Sequence, residues 1–349
     1  MIRPPTLFPD VRLHIVTGKG GTGKTTVAAA LALALAADGK RTLLMEVEGR
    51  QGIAGLFDVE PLPHEERRVA RAPGGGEVRA LAVDPETALL EYLEMFYNLR
   101  RAGSALSRLG AIDFATTIAP GVRDVLLTGK AMESVKRNVR GVPVFDAVVM
   151  DAPPTGRITR FLNVNSEVAG IARMGPIHGQ ANSVMAVMRS PRTAVHVVTL
   201  LEEMPVQETL DGVRDLHGED LPVGAVIINA DRPPRLTPEQ RSSALAGTLD
   251  RQAILASVQA ASIVTPGHPP ALDEVTGALV DEARDHAERA AVAEQERARL
   301  AELALPVVDL PQMPNGIDLS ALHVLADRLR AGGFGTPPEP EPVSAQVSA

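Results

Sequence analysis

Between Gly18 and Thr25 the chain reads GKGGTGKT, which fits the spacing G-x-x-x-x-G-K-[ST] of a phosphate-binding loop. Glycines at Gly18, Gly20, Gly21 and Gly23 free the backbone to turn so that successive N–H groups, that of Thr22 included, converge on phosphate oxygens. Lys24 is expected to reach the β- and γ-phosphates of a nucleotide, and the Thr25 hydroxyl to bind Mg²⁺. Thr26 follows at the start of the expected helix, within reach of phosphate. One lysine would hold the phosphate, yet the loop has a second, Lys19. Further on, FDAVVMDAPPTGR is an apolar strand ending in Asp151. A carboxylate there belongs in the shell of the same Mg²⁺. The following loop places Gly156 where its N–H can meet a γ-phosphate and move when that phosphate leaves.

Elements that alternate in a simple way must position these residues. Apolar runs at 12–17, 41–47, 78–83, 145–150, 193–199, 223–229 and 305–310 read as strands, separated by helical patterns. Several runs are continuous rather than alternating, as in strands covered on both faces. The expected fold is therefore α/β, a mostly parallel sheet flanked by helices with an inserted helical subdomain. That insertion spans about 86–140, and its apolar positions include Leu106, Leu109, Ile112, Phe114, Ile118, Val122, Val125 and Leu126. A second helical stretch covers about 157–190 and carries Met174, Met185 and Met188. Segment 274–304 reads as one long charged helix, with Asp285–Arg289 and Glu294–Arg297 as candidate pairs. Residues 1–335 would form one nucleotide-binding domain, and the proline-rich tail 336–349 is expected to be disordered.

Composition narrows the function. A net charge of −8 speaks against a nucleic-acid surface. The 349 residues include no cysteine, which excludes disulfides, thiolate catalysis and cysteine-held metal clusters. No secretory leader is legible, and the apolar run from Val27 to Ala37 falls short of the ~20 residues of a membrane span. A cytoplasmic protein without stable membrane insertion is expected, with peripheral contact left open. The eight histidines show no pair at helical spacing, so packing rather than metal binding is their expected role.

Taken together, KGGTGKTT (19–26), LAVDPETALLEYL (81–93), DAPPTGRITRFL (151–162) and VTLLEEMPVQET (198–209) resemble the arsenical-pump and tail-anchored-protein-targeting ATPases, the ArsA/Get family. The likeness runs from about residue 12 to 331. It implies an ATPase of the deviant Walker A class, in which the extra lysine, here Lys19, crosses a dimer interface to the partner's nucleotide. It also implies that Asn229 meets the adenine edge and that Pro311 and Gln312 line a loop over the base. Where the family's first switch has an aspartate that positions the attacking water, this chain has Glu48, with Glu46 as a competing carboxylate. The catalytic set is then Lys19, Lys24, Glu48 and Asp151, and hydrolysis is expected to be slow or partner-dependent. Without cysteine, neither a thiolate metalloid site nor a zinc clasp can form, so arsenite transport is not expected. Three readings follow: a dimerising ATPase that handles a hydrophobic client or partner, a weakly hydrolysing subunit of a heterodimer with a related ATPase, and a partition or division-site ATPase.

Overall fold

Runs of Val, Ile, Leu and Ala without polar alternation can be satisfied only between two covering layers, and the sheet is built that way. The computed structural model describes residues 6–84, 87–88, 120–171, 176–261 and 272–335. Most of the expected insertion lies outside those residues, with Leu106, Leu109, Ile112, Phe114 and Ile118. Met174 and the tail 336–349 lie outside them too.

The strands are β1 (Leu13–Gly18), β2 (Arg41–Glu46), β3 (Arg67–Arg71), β4 (Glu77–Ala82), β5 (Asn138–Val139), β6 (Val142–Pro143), β7 (Ala147–Asp151), β8 (Thr193–Thr199), β9 (Val223–Asp231) and β10 (Val307–Pro311). The helices are α1 (Lys24–Ala36), α2 (Gly52–Leu56), α3 (Pro120–Lys136), α4 (Thr155–Ile171), α5 (Pro176–Met188), α6 (Glu203–Gly218), α7 (Pro238–Ala246), α8 (Arg251–Ala260), α9 (Leu272–Ala301) and α10 (Leu319–Ala331). Eight strands form one sheet in the order β10-β9-β8-β1-β7-β2-β4-β3, and β5 and β6 make a separate hairpin. Every pairing in the large sheet is parallel except β3 with β4.

Alternate residues of the central strands face two cores. Val16, Leu44, Val149 and Val198 join α1 and α10, whereas Ile15, Met45, Met150 and Val197 join α3 to α6. Helix α1 is buried around almost its whole circumference between the sheet and α10. That suits its alanines, which let helix and sheet approach closely. Register brings the chemistry to one edge: Asp151 lies level with Val16 of β1 and Glu46 of β2, and Gly18 opposite Val198.

The structure departs from the sequence reading in an edge strand and in the pairing on α9. Edge strand β3, with its sequence RRVAR, is too charged and exposed to stand out as a strand. The stretch 157–190 is helical as expected, in two helices, α4 and α5. Met185 and Met188 are buried in the core against the sheet, and so is Leu126. On α9 the recorded pairs are not the expected local ones. Arg289 meets Glu282 at 3.0 Å, Glu294 meets Arg241 of α7, and Arg297 meets Asp309 at 2.6 Å and Asp231 at 3.3 Å. Most of these tie the helix to the rest of the chain, which sequence spacing cannot reveal.

Candidate phosphate-binding site

The loop after β1 is shaped by close approaches that leave no alternative to glycine. A Cβ on Gly18 would lie 2.2 Å from the Val198 carbonyl oxygen of β8, well inside contact distance. Gly23 takes a left-handed φ of 85° and caps α1 without a side-chain hydrogen bond. Its own Cβ would collide with the Asn229 amide nitrogen at 2.3 Å. That nitrogen donates to the Thr22 carbonyl at 2.9 Å, which joins the end of β9 to the loop. The Thr22 hydroxyl and N–H both donate to the Lys19 carbonyl, at 2.9 and 3.3 Å, so this residue shapes the loop from within. Lys24 folds inward, its ammonium 3.4 Å from the same carbonyl. Gly20 and Gly21 have open space where a side chain would sit. The uncapped first turn of α1, with Thr25 and Thr26, offers the N–H groups and dipole that an anion needs.

Beside the loop, the Thr25 hydroxyl donates to Asp151 Oδ2 at 2.7 Å. The other carboxylate oxygen, Oδ1, is buried with no hydrogen-bond partner among the described residues. Burial lifts Asp151 to about 6, against the Thr25 hydrogen bond and the Lys24 charge, which lower it. Burial also lowers Lys24, with Asp151 and Glu48 acting the other way. A hydroxyl and a buried carboxylate with one unpartnered oxygen are what a hard divalent cation satisfies, so these residues fit Mg²⁺. Among the described residues no group of three or more histidine or acidic side chains could hold a metal. Such a cation would therefore lean on phosphate oxygens and water.

Glu46 and Glu48 part company. Glu46 is buried, and its two oxygens accept the N–H groups of Gln51 and Ile53, the latter at 3.2 Å. It anchors the start of α2. Among the described residues no backbone N–H bonds the Glu48 side chain, and its partner is Arg50, at 3.5 Å. A polar cavity of about 150 Å³ opens beside it, lined by Arg50, Arg123, Asp124, Pro153 and Arg157. Arg157 stands 3.9 Å from Asp124 of α3, and Arg123 donates to the Val47 carbonyl at 3.4 Å. Burial raises Asp124, and the arginines around it act the other way. Sequence reading missed these three residues, because α3 reaches the loops only through the fold. Gly156 is the second residue of α4, exposed, with no described atom near where a Cβ would sit. Lys19 turns away from the loop to Glu208 of α6, at 3.0 Å.

On the far side, the Gln312 N–H donates to the Asp231 carbonyl at 3.0 Å, which sets Pro311 and Gln312 beside the end of β9. Between them and α9 lies a cavity of about 720 Å³, lined by Asp231, Arg232, His286, Pro311, Gln312 and Pro314. Its size is that of a small-molecule pocket. Asn229 lines a neighbouring cavity of about 470 Å³.

A parallel α/β sheet whose central strand enters a glycine loop and then a helix, with an aspartate closing the adjacent strand, defines the phosphate-loop nucleotide-binding class. Within it, the chain belongs to the anion-transporting ATPase family, whose model matches residues 11–190. It is 49% identical to ATPase BagA of Mycobacterium tuberculosis over 330 residues, covering 94% of this chain and 95% of that protein. ATPase GET3 of Kluyveromyces lactis is 27% identical over 253 residues, 62% of this chain and 71% of that one. An arsenical pump-driving ATPase of Acidiphilium multivorum is 26% identical over 361 residues, 95% of this chain and 57% of that protein. The family and the α/β fold expected from the motifs are both borne out, and the chain is an ATPase of this family. Among the described residues no helix is long and apolar enough to cross a membrane.

Proposed function

We propose that this ATPase binds magnesium-ATP on the loop from Gly18 to Thr26, and that two such sites complete one another across a dimer. The observation that carries this reading is the divergence of the two loop lysines. Lys24 folds into its own loop, whereas Lys19 reaches out of it to Glu208 of α6, and no described atom crowds Gly20 or Gly21. A cation so directed serves a nucleotide held by a neighbouring chain, as an arginine finger does. In the reaction, the oxygen of a water attacks the γ-phosphorus and the bond from that phosphorus to the bridging oxygen breaks, so that ADP and phosphate leave. Glu48 orients the water, Lys24 and the partner's loop lysine face the charge that develops, and Gly156 meets the γ-phosphate through its N–H. Mg²⁺, held by Thr25 and Asp151, would neutralise phosphate charge. Asn229, Pro311 and Gln312 border the base.

Sizing the protein with ATP, with ADP and without nucleotide tests the reading, for wild type and Lys19→Ala. The expected result is an ATP-dependent dimer that Lys19→Ala loses, with turnover down at least ~10²-fold. A nucleotide-loaded monomer with unchanged turnover in the variant would refute it.

Coupling to a hydrophobic client or partner protein is part of the proposal, resting on the family resemblance. Met185 and Met188 play no part in such a surface, being core. A second reading, the weakly hydrolysing half of a heterodimer, is favoured by one contact: Glu48 is paired with Arg50 rather than free. Single-turnover hydrolysis by Glu48→Gln separates the two. A drop of ~10²-fold or more supports the active enzyme, and an unchanged slow rate supports the heterodimer.

A further inference from the structure

We infer that Glu208 is a positioning residue that keeps Lys19 on its own chain until the segment following Asp151 moves. The inference rests on the reading of Lys19 given above and adds the device that times it.

One carboxylate joins two parts of the site. Its Oε1 lies 3.0 Å from the Lys19 ammonium, and its Oε2 accepts a hydrogen bond from the Thr155 hydroxyl at 3.4 Å. Thr155 is buried and is the first residue of α4, next to Gly156. Four residues beyond Glu208, on the same face of α6, Gly212 packs against Thr155 so closely that an added Cβ would lie 3.2 Å from the threonine methyl. Helix α6 is thereby keyed to Thr155 at two levels, and a shift of Thr155 must change its contact with Glu208. The side chains of Lys19 and Glu208 are 28% and 38% exposed, so water reaches the pair and it can open. Exposed pairs are weak enough to be exchanged for a stronger partner.

The sequence of events follows. When Gly156 and Thr155 move toward a γ-phosphate, Glu208 loses one of its two donors and its hold on Lys19 loosens. The lysine then exchanges a single carboxylate for the triphosphate of a neighbouring chain. When phosphate leaves, Thr155 returns, Glu208 recaptures Lys19 and the chains part. Because the internal pair forms only in the separated chain, it biases the equilibrium against association, and removing it shifts that balance.

Two measurements on the full-length protein test this. In the nucleotide-free state, acetylation of Lys19 by acetic anhydride, followed by peptide mass spectrometry, should be about two- to fivefold faster in Glu208→Gln than in wild type. Glu208→Asp, which keeps the charge, should fall between them. In sizing experiments, Glu208→Gln should associate at about two- to fivefold lower ATP than wild type. That difference should shrink as salt is raised. Equal labelling of Lys19 in wild type and Glu208→Gln overturns the inference, and so does association at the same or higher ATP. If Lys19→Ala is defective while Glu208→Gln is silent, only the holding role of Glu208 falls. If Lys19→Ala associates and turns over like wild type, the dimer reading falls with it.

Discussion

Two regions of the site are built in opposite ways. The loop from Gly18 to Thr26 is tightly held at its two ends: Gly18 and Gly23 leave no room for a side chain beside the Val198 carbonyl and the Asn229 amide, Asn229 bonds the Thr22 carbonyl, and Thr25 is bonded to Asp151. The segments after β2 and β7 are pinned where they begin, by Glu46 to the Gln51 and Ile53 N–H groups and by the Thr17 hydroxyl to the Pro153 carbonyl at 2.7 Å. Beyond those anchors their recorded contacts are loose ion pairs, Glu48 with Arg50 at 3.5 Å and Arg157 with Asp124 at 3.9 Å. Arg50 and Arg157 are 76% and 62% exposed. A Cβ placed at Gly18 would meet the Val198 carbonyl oxygen at 2.2 Å and cost more than an exposed pair contributes, about 0–1 kcal/mol. The difference teaches where motion is permitted. A phosphate cradle loses affinity if it wanders, whereas parts that must sense the γ-phosphate need contacts weak enough for binding to rearrange.

The strongest test of this contrast is a methyl group added on each side. Gly18→Ala is expected to cost about 3 kcal/mol of stability in urea unfolding, because backbone must move. Gly156→Ala, with open space at its Cβ, should change stability by less than about 1 kcal/mol. If the two cost the same, the contrast between fixed cradle and loose segments fails.

Next in size is a pH effect rooted under the cradle. His14 of β1 and His196 of β8 share a buried contact, ring nitrogen to ring nitrogen at 3.0 Å, enclosed by Phe8 and Phe334. Burial lowers His14 to about 3 and holds His196 well below its ordinary value. The unfolded chain therefore takes up protons below its ordinary value of 6.5 while the folded chain refuses them. Stability is complete above that pH and falls as pH drops. For one histidine the loss is about 2 kcal/mol between pH 6.5 and pH 5. Asp151 acts in the opposite sense: raised to about 6, it favours the folded state when protonated, and that contribution is lost as pH rises through 6. Urea unfolding of His14→Leu and of Asp151→Asn, each against wild type, isolates the two slopes. An Asp151→Asn variant whose stability is flat from pH 7 to pH 5 would show that the strands under the loop are not sealed.

The ionisation of Asp151 gives the third expectation. Its carboxylate must be charged to hold the cation, so the Mg²⁺ concentration for half-maximal turnover should rise up to about tenfold per pH unit below about 6. An unchanged Mg²⁺ requirement at pH 5 would remove Asp151 from the metal shell. The smallest effect belongs to the loose side. Asp124→Asn should alter stability by less than about 1 kcal/mol, since Arg157 is only distantly paired with it. A loss of 3 kcal/mol would mean that this segment is as rigid as the cradle.

Much of this site was legible in the chain because its signals are local. The loop Gly18–Thr25 and the strand end at Asp151 declare themselves within a dozen residues each, and seven of the strands followed from apolar runs set between helical patterns. The exposed edge strand β3 did not, since RRVAR has the composition of a surface. Nor did the choice between two glutamates two residues apart. Glu46 is taken by backbone N–H groups and Glu48 is not, a distinction made by the turn into α2.

The sequence alone determined the class of the protein and the residues that could face phosphate. Periodicity and glycine spacing are properties of neighbouring residues, and the phosphate loop needs nothing more distant. Only the tertiary structure decided what the outward lysine rests on, that Asn229 ties β9 to the loop, and that two histidines from separate strands meet in the core. Each of those contacts joins residues more than 180 positions apart. Strand order alone brings them together, and no local pattern encodes strand order.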